Sequence, residues 1–298
     1  MNKREIDSLL ASAGLRPQHQ FGQNFMIDQT VLAAIADAGE IGPHDVVLEV
    51  GPGVGNLTRQ LATRAHAGAV LAVDIDRKLM PAAQKYHAAL TNVRWLNADV
   101  LASKHELNPD VLAALRELRA THGQGELKLV SNLPYNAASP LIAELLALMT
   151  HDETLAFSVL AFTVQYEVGL RMAAMSGSDY GPLSVLIALT AESEIVRKIP
   201  PGAFWPPPKI NSALVRIRPV VAKCRRIKDV VGLQRLLAGL FSHRRQTMHN
   251  ALKHYLKDAY TPRVRDAIAD AKIDLSLRPE AIAPEQFLTI ATITQKSE

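Results

Sequence analysis

Short apolar runs alternate with segments of helical periodicity along the first two thirds of the chain. The apolar runs predict strands at residues 46–50, 69–73, 93–96, 127–131, 155–162, 183–190, 194–199 and 211–218. Between several of them, apolar residues recur three and four positions apart, which predicts helices over residues 28–38, 77–89 and 140–148. Strands that alternate with helices form a mostly parallel sheet covered on both faces, so the pattern predicts an α/β fold.

A cluster of prolines and a change of periodicity end this region. Five prolines between Pro200 and Pro208 predict a rigid, extended loop before the last strand. Beyond Pro219 the periodicity is helical as far as residue 291. We therefore predict an α/β domain at residues 1–220 and a small all-α domain at residues 221–298.

Composition is that of an ordinary soluble protein. Of the 298 residues, 48% are hydrophobic and 21% are charged, and no apolar run approaches the ~20 residues needed to span a bilayer. The single cysteine, Cys224, cannot form an internal disulfide, which fits a reducing cytoplasm. Histidines such as His19 and His87 lack the spacing of metal ligands and are expected at the surface or at helix ends. The sequence therefore predicts a cytoplasmic protein with no membrane span and no metal.

Positive charge is concentrated in the predicted helical domain. From Val221 onwards there are 14 lysines and arginines against 8 aspartates and glutamates, an excess of +6, while the rest of the chain carries −2. Arg244, Arg245 and Lys253 cluster on or just before one helix, and Lys209 lies on the proline-rich loop. Such groups suit phosphates, so they are candidate RNA-binding residues, although a solvated helix surface has the same composition.

A glycine-rich segment follows the first predicted strand. Glu49 stands just before the glycines, which are Gly51, Gly53 and Gly55. Glycines at such a place let the backbone turn sharply into a helix and approach a ligand closely. Loops of this kind bind dinucleotides or S-adenosylmethionine, while a tight turn without a ligand is the simpler interpretation.

Two acidic residues follow the next strands. Asp74 comes 19 residues after Gly55, where a carboxylate can accept hydrogen bonds from both hydroxyls of a ribose. Asp99 follows the third strand and can accept from an adenine amino group. Because the carboxyl ends of parallel strands meet at one edge of a sheet, we expect these groups to line one nucleotide-binding site.

The fourth predicted strand ends in a short polar and aromatic turn. The Asn132 side chain and the Leu133 backbone carbonyl can both accept from an exocyclic amine, because Pro134 blocks regular continuation of the strand. Tyr135 supplies a stacking face. The turn therefore suits an amine-bearing base that has left its stack, and it favours a methyltransferase over a hydride-transferring enzyme.

Five motifs occur along the chain in the order typical of one family. They are GQNFM at 22–26, EVGPGVG at 49–55, NLPYN at 132–136, FWPPPKINSALV at 204–215 and FSHRRQTMHNAL at 241–252. Over nearly its whole length the chain resembles the KsgA-type ribosomal RNA small-subunit adenine dimethyltransferases.

The resemblance implies a fold, a reaction and a set of partners. The fold is a Rossmann-like methyltransferase domain with a mostly parallel seven-stranded sheet, followed by a small all-α domain. S-adenosylmethionine is the implied methyl donor, and two adjacent adenines near the 3′ end of small-subunit rRNA are the implied acceptors. An immature small ribosomal subunit is the implied partner of a monomeric enzyme.

Functional residues are carried over from the family one by one. Those implied to bind the cofactor are Asn24 and Met26 in a closing N-terminal segment, Gly51, Gly53, Asp74, Asp99 and Asn132. Those implied to hold the substrate base are Asn132, Leu133, Pro134 and Tyr135, with Phe204 as a second aromatic wall.

The chain departs from the family pattern at a few positions. Asp74 stands where glutamate is usual and is one methylene shorter, and Met26 replaces a common leucine with little change of volume. Tyr166 replaces a common lysine, which removes a positive charge near the expected RNA surface. The segment at 101–126 is longer than is typical.

Three alternative functions remain open at this point. A resistance-type dimethyltransferase acting on large-subunit rRNA shares most motifs, although the segment at 241–252 favours the small-subunit enzyme. A ribosome-assembly factor that mainly binds is a second alternative, and Asn132, Tyr135 and Asp99 argue for catalysis. A nicotinamide dehydrogenase is the third, and the NLPY turn argues against it.

Overall fold

The computed structural model describes residues 1–16 and 24–295. His19, together with Gly22 and Gln23 of the first motif, lies outside the described residues.

The chain forms two compact units. The first consists of Met1–Gly169 and Glu194–Pro219, and the second of Leu170–Ser193 and Val220–Glu298. The predicted boundary near Val220 coincides with the start of the second segment of the second unit. The prediction placed all of residues 1–220 in the α/β domain, however, and the structure assigns Leu170–Ser193 to the other unit.

The strands of the first unit occupy most of the predicted positions. In chain order they are β1 Phe25–Met26, β2 Val46–Val50, β3 Ala69–Asp74, β4 Val93–Asn97, β5 Leu101–Ser103, β6 Glu106–Leu107, β7 Leu127–Asn132, β8 Phe157–Gln165, β9 Ala191–Ile199, β10 Phe204–Trp205 and β11 Ser212–Pro219. The long segment after Asp99 consists of the antiparallel pair β5–β6 and a helix.

Seven strands form the central sheet in the order β4-β3-β2-β7-β8-β11-β9. β2 pairs in parallel with both β3 and β7, while β11 pairs antiparallel with β8. The strand order reverses beside β2, and in open α/β sheets ligands bind at the carboxyl edge next to such a reversal. The predicted seven-stranded, mostly parallel sheet is confirmed.

Helices connect the strands and continue through the second unit. They are α1 Lys3–Ser12, α2 Gln29–Ala38, α3 Asn56–Arg64, α4 Leu79–Tyr86, α5 Pro109–Thr121, α6 Ala138–Leu148, α7 Tyr166–Ala173, α8 Pro182–Thr190, α9 Val221–Cys224, α10 Val230–Ser242, α11 Met248–Leu256, α12 Pro262–Asp270 and α13 Pro284–Gln295. Asp28 caps the start of α2, since its carboxylate accepts from two backbone N–H groups, and Gly39 caps the end of the helix, as predicted. No helix in the described ranges is long and apolar enough to cross a membrane.

One apolar cluster in the core of the first unit joins strands of the sheet to α2 and α3. All five residues of β2 are buried, and so are Ile35 of α2 and Leu61 of α3. Met26 and Phe204 belong to the same apolar cluster, so the segments that carry them are fixed against the core.

The second unit is helical, and one predicted strand is wrong. Residues 183–190 form most of α8, which begins with Pro182 at its first turn and packs on α10 and α13. The Tyr180 hydroxyl donates to the Ile282 carbonyl at 3.1 Å, and the rings of Phe241 and Phe287 pack 5.6 Å apart. The apolar run is continuous because the helix is buried nearly all round.

Candidate active site

A cavity of about 380 Å³ opens at the carboxyl edge of the sheet, next to the reversal in strand order. We call it the edge cavity. Its lining includes each residue predicted to bind the cofactor or the substrate base, namely Asn24, Met26, Gly51, Gly53, Asp74, Asp99, Asn132, Leu133, Pro134, Tyr135 and Phe204. The structure therefore brings together residues that are up to 180 positions apart in the sequence.

The glycine loop between β2 and α3 adopts backbone conformations that disfavour other residues. Gly51 and Gly53 have φ of +71° and +56°. A Cβ atom on Gly51 would lie 3.1 Å from the Pro134 ring, and one on Gly53 would lie 3.1 Å from the ring of Phe25. The loop is thus packed directly against the turn that follows β7.

His87 supports this loop from behind. It is only 6% exposed, and its Nε2 lies 3.0 Å from the Val54 carbonyl oxygen. Burial lowers the pKa of His87, opposed by this hydrogen bond. His87 follows the last residue of α4, which agrees with the expected position at a helix end, and it is buried with its ring stacked 6.4 Å from that of Trp95.

Glu49 is an acidic group with an unpaired oxygen at the edge cavity. The side chain is 1% exposed, and within the described chain its Oε2 has no hydrogen-bond partner. The buried Thr58 hydroxyl is near, but no hydrogen bond of ordinary geometry forms with it. Burial raises the pKa of Glu49 to about 8, with a smaller lowering from Thr58 and a further rise from Asp74.

Asp74 and Asp99 both line the edge cavity. Asp74 accepts from the backbone N–H of Gly53 at 3.2 Å and of Asp76 at 2.9 Å. Burial raises the pKa of Asp74, and these backbone hydrogen bonds oppose the rise. Asp99 accepts from Leu101 N–H at 3.0 Å, which holds it at the rim. A carboxylate has about four lone-pair sites, so each retains capacity for a ligand.

The turn after β7 is held by hydrogen bonds from neighbouring strands. Asn132 Oδ1 accepts from the hydroxyl of Thr163, and its Nδ2 donates to the Asn24 carbonyl at 3.4 Å. The Tyr135 hydroxyl lies 2.8 Å from the hydroxyl of the fully buried Ser212. Burial raises the pKa of Tyr135, with a smaller lowering from Ser212. Sequence reasoning assigned no role to either hydroxyl residue: Thr163 lies in none of the five motifs, and Ser212 lies within the motif at 204–215 but was not singled out.

The N-terminal segment and the aromatic loop meet as a two-stranded sheet. β1 pairs antiparallel with β10, with Met26 opposite Phe204 and Phe25 opposite Trp205. Asn56, the first residue of α3, donates to the Met26 carbonyl at 2.7 Å and was not anticipated from the sequence. One ribbon therefore carries a predicted cofactor residue and a predicted substrate residue.

The predicted RNA-binding residues lie outside the edge cavity. Lys209 is exposed on the first unit, and Arg245 and Lys253 are exposed on the second. Arg244 instead forms an ion pair with Glu280 at 2.9 Å and donates to the Ser178 carbonyl at 2.9 Å. Its charge is already engaged within its own unit.

The position of Tyr166 retains a positive charge nearby. Lys198 Nζ lies 4.6 Å from the centroid of the Tyr166 ring, a cation–π contact. Although tyrosine replaces a common lysine at position 166, the ammonium group of Lys198 therefore still provides a positive charge next to this position.

The fold and the site define a class: a methyltransferase with a Rossmann-like sheet, a glycine loop after its first sheet strand and acidic groups at the carboxyl edge. Residues 14–296 match the family model described as ribosomal RNA adenine dimethylase, and the chain belongs to that family. The predicted fold class and the predicted enzyme class, an rRNA adenine dimethyltransferase, are confirmed.

Individual relatives cover almost the full chain. It is 36% identical over 296 residues to ribosomal RNA small subunit methyltransferase A of Moorella thermoacetica, covering 97% of this chain and 96% of the relative. It is 37% identical to the protein of the same name from Magnetococcus marinus, covering 96% and 95%.

Two solved structures have similar folds. The chain is similar to a dimethyladenosine transferase from Plasmodium falciparum, with a TM-score of 0.72, 23% identity and coverage of 92% of this chain and 98% of the other. It is also similar to the 23S rRNA methyltransferase ErmE, with a TM-score of 0.61, 25% identity and coverage of 91% and 100%.

Proposed function

We propose that this protein uses S-adenosylmethionine to dimethylate the exocyclic amines of two adjacent adenines near the 3′ end of small-subunit rRNA. The observation that carries the proposal is the contact between the glycine loop and the turn after β7, where Gly51 packs on Pro134 and both line one cavity. This contact supports a proposed cofactor site next to a proposed amine-binding site.

The residues of the edge cavity fit the proposed cofactor. Gly51 and Gly53 present bare backbone where side chains would collide with Pro134 and Phe25. Asp74 and Asp99 offer acceptors for ribose hydroxyls and an adenine amine, and the unpaired Glu49 Oε2 offers one to a cationic group. When bound, S-adenosylmethionine supplies a methyl group already activated by its sulfonium.

In this proposal, Asn132 and Leu133 bind and orient the substrate amine. The lone pair of an adenine amine is delocalised into the ring, which makes it a poor nucleophile. Two acceptors, Asn132 Oδ1 and the Leu133 carbonyl, would hold both N–H groups and favour a near-tetrahedral nitrogen. Positioning and electrostatics then provide the rate, and the amine proton leaves to water.

In this proposal, Tyr135 and Phe204 bind the adenine base by stacking on it. Both rings line the edge cavity, and Phe204 is 3% exposed because it also packs into the core. Stacking on aromatic rings contributes about 1–3 kcal/mol per base and requires a base that is unpaired or flipped. We infer that the target adenines lie in an exposed loop.

The small-subunit substrate is supported by the relatives. Proteins of 36% and 37% identity over nearly the whole chain bear the small-subunit name, whereas the 23S rRNA enzyme is 25% identical. This substrate would place the enzyme in the cytoplasm with an immature small subunit as its partner. Exposed Lys209, Arg245 and Lys253 are the proposed phosphate contacts.

The test is to map methyl groups on rRNA. Purified protein is incubated with methyl-labelled cofactor and undermethylated small subunits, and the modified adenines are located by sequencing. We expect two adjacent adenines in the wild type and a rate ~10²–10³ lower in Asn132→Ala, since removal of a preorganised polar group at the reacting atom has about this effect. Thermal melts of the variant control for folding.

The other outcomes separate the alternatives. Methyl groups found only on large-subunit rRNA would favour the resistance-type enzyme. Tight binding of subunits without methyl transfer by the wild type would favour a binding factor. Near-normal transfer by Asn132→Ala would refute the role given to that side chain.

A further inference from the structure

Thr163 carries a buried hydroxyl that contacts the Asn132 side chain from the neighbouring strand. It lies on β8, where it pairs in register with Asn132 of β7, and it is 0% exposed. Its neighbours Phe162 and Val164 are apolar and equally buried. Asn132 lines the edge cavity, whereas Thr163, on the neighbouring strand, does not.

Two contacts select one of the two possible orientations of the Asn132 amide. The Asn24 carbonyl can only accept, so the group that faces it must be the NH₂ group, Nδ2, at 3.4 Å. The carbonyl oxygen Oδ1 then faces Thr163, whose hydroxyl donates to it. A reversed amide would place two oxygens together at Asn24, so that contact reinforces the orientation seen.

The contact with Thr163 leaves capacity on the Asn132 oxygen. An amide oxygen has two lone pairs, and the hydroxyl occupies one of them. We propose that Thr163 is a positioning residue for methyl transfer, which holds Asn132 so that the second lone pair of Oδ1 faces the adenine amine. This inference rests on the proposed function, because it assigns Thr163 a role at the same site.

The expected effect of losing the hydroxyl is on the rate. Valine has the shape of threonine, so Thr163→Val removes the donor and leaves the β-branched side chain in its pocket. Misplacement of a reacting group by about 1 Å can lower a rate by ~10²-fold, so we expect a fall of about 10- to 100-fold in the single-turnover rate. Affinity for the cofactor and KM for the subunit should change less than the rate does, since the Asn132 side chain remains in the cavity and Thr163 itself does not line it.

The experiment compares three variants of the full chain. Thr163→Ser keeps a hydroxyl donor and should retain most of the wild-type rate. Ser158→Ala removes a hydroxyl from the other end of β8, where it bonds the Leu127 carbonyl at 3.5 Å, and should leave the rate unchanged. Single-turnover transfer to undermethylated subunits, cofactor calorimetry and thermal melts are measured for each. A wild-type rate in Thr163→Val, or an equal loss of rate in all three variants, overturns the proposal.

A second measurement does not depend on activity. The Asn132 side-chain NH₂ signals are recorded by ¹⁵N NMR on the intact protein and assigned by their loss in Asn132→Ala. We expect Thr163→Val to shift or broaden them and Thr163→Ser to preserve them. If the wild type methylates no rRNA, the proposed function fails, but these signals still test whether Thr163 positions Asn132. Signals that are unchanged in Thr163→Val overturn the positioning role of Thr163.

Discussion

Substitution of Gly51 by alanine tests whether the glycine loop and the turn after β7 act as one unit. Gly51 has φ of +71°, a conformation that carries a strain of about 1–2 kcal/mol for an L-residue. The added Cβ would lie 3.1 Å from two carbons of the Pro134 ring, closer than the ~3.5–4.0 Å of an optimal carbon contact. Pro134 is a rigid ring, so the crowding must move the backbone of one segment.

Backbone strain and crowding against Pro134 together set the expected effect of Gly51→Ala. Crowding in a packed region typically costs about 1–3 kcal/mol, which with the strain gives a loss of stability of about 2–5 kcal/mol. Movement of Pro134 also displaces Asn132 and Leu133, so we expect the methyl-transfer rate to fall by ~10²-fold or more. Urea unfolding measures the first quantity and single-turnover transfer the second.

Gly177 provides the matched control. Its φ is +81°, but a Cβ there would meet nothing within 4 Å in the described structure. Gly177→Ala should therefore show the strain of about 1–2 kcal/mol alone and an unchanged transfer rate. The reasoning is refuted if Gly51→Ala loses no more stability than Gly177→Ala and transfers methyl groups at the wild-type rate.

Three further predictions concern charged groups. Asp74→Asn should weaken cofactor binding about 10- to 100-fold in calorimetry, because hydrogen bonds to a charged group contribute about 1.5–3 kcal/mol; unchanged affinity would remove Asp74 from the site. Arg245→Ala combined with Lys253→Ala should lower the log–log salt slope of RNA binding by about 0.7–0.9 per lost phosphate contact, whereas an unaltered slope would mean that both face solvent. Burial raises the pKa of Glu49 to about 8, so the folded protein keeps a proton that the unfolded chain loses above its ordinary pKa of ~4.3. Wild-type stability relative to Glu49→Gln should therefore fall between about pH 4 and pH 8 and then level off, and urea unfolding that shows a constant difference would contradict this.

Much of the first unit could be predicted from its sequence. The strand at Val46–Val50 is found where the apolar run predicted it, because a strand buried on both faces reads as a continuous apolar run. The acidic residues after later strands were expected at one edge, since parallel strands bring their carboxyl ends together. In the structure, Asp74 and Asp99 both line the edge cavity.

The error at residues 183–190 has a physical cause. A continuous apolar run is compatible with a buried strand and with a helix buried all round, and periodicity cannot distinguish them. Pro182 and the Ser184 hydroxyl, which accepts from Gly181 N–H at 3.0 Å, are the local signals for a helix start. The helix then packs on α10 and α13, whose residues come at least 40 positions later, so its membership of the second unit was not visible locally.

The partners of the polar side chains were decided by tertiary structure. Thr163 reaches Asn132 and Ser212 reaches Tyr135 because β7, β8 and β11 are neighbours in the sheet, and no local pattern encodes that register. The partner of Arg244 was also decided by tertiary structure. The sequence shows only that Arg244 lies in a basic segment, whereas the folded chain pairs it with Glu280. The sequence by itself therefore determined which groups the protein has and which sheet edge carries them. The hydrogen-bond and ion-pair partners of those groups depend on strand register and on packing between distant segments. Only the tertiary structure therefore decides which groups keep a lone pair for a ligand.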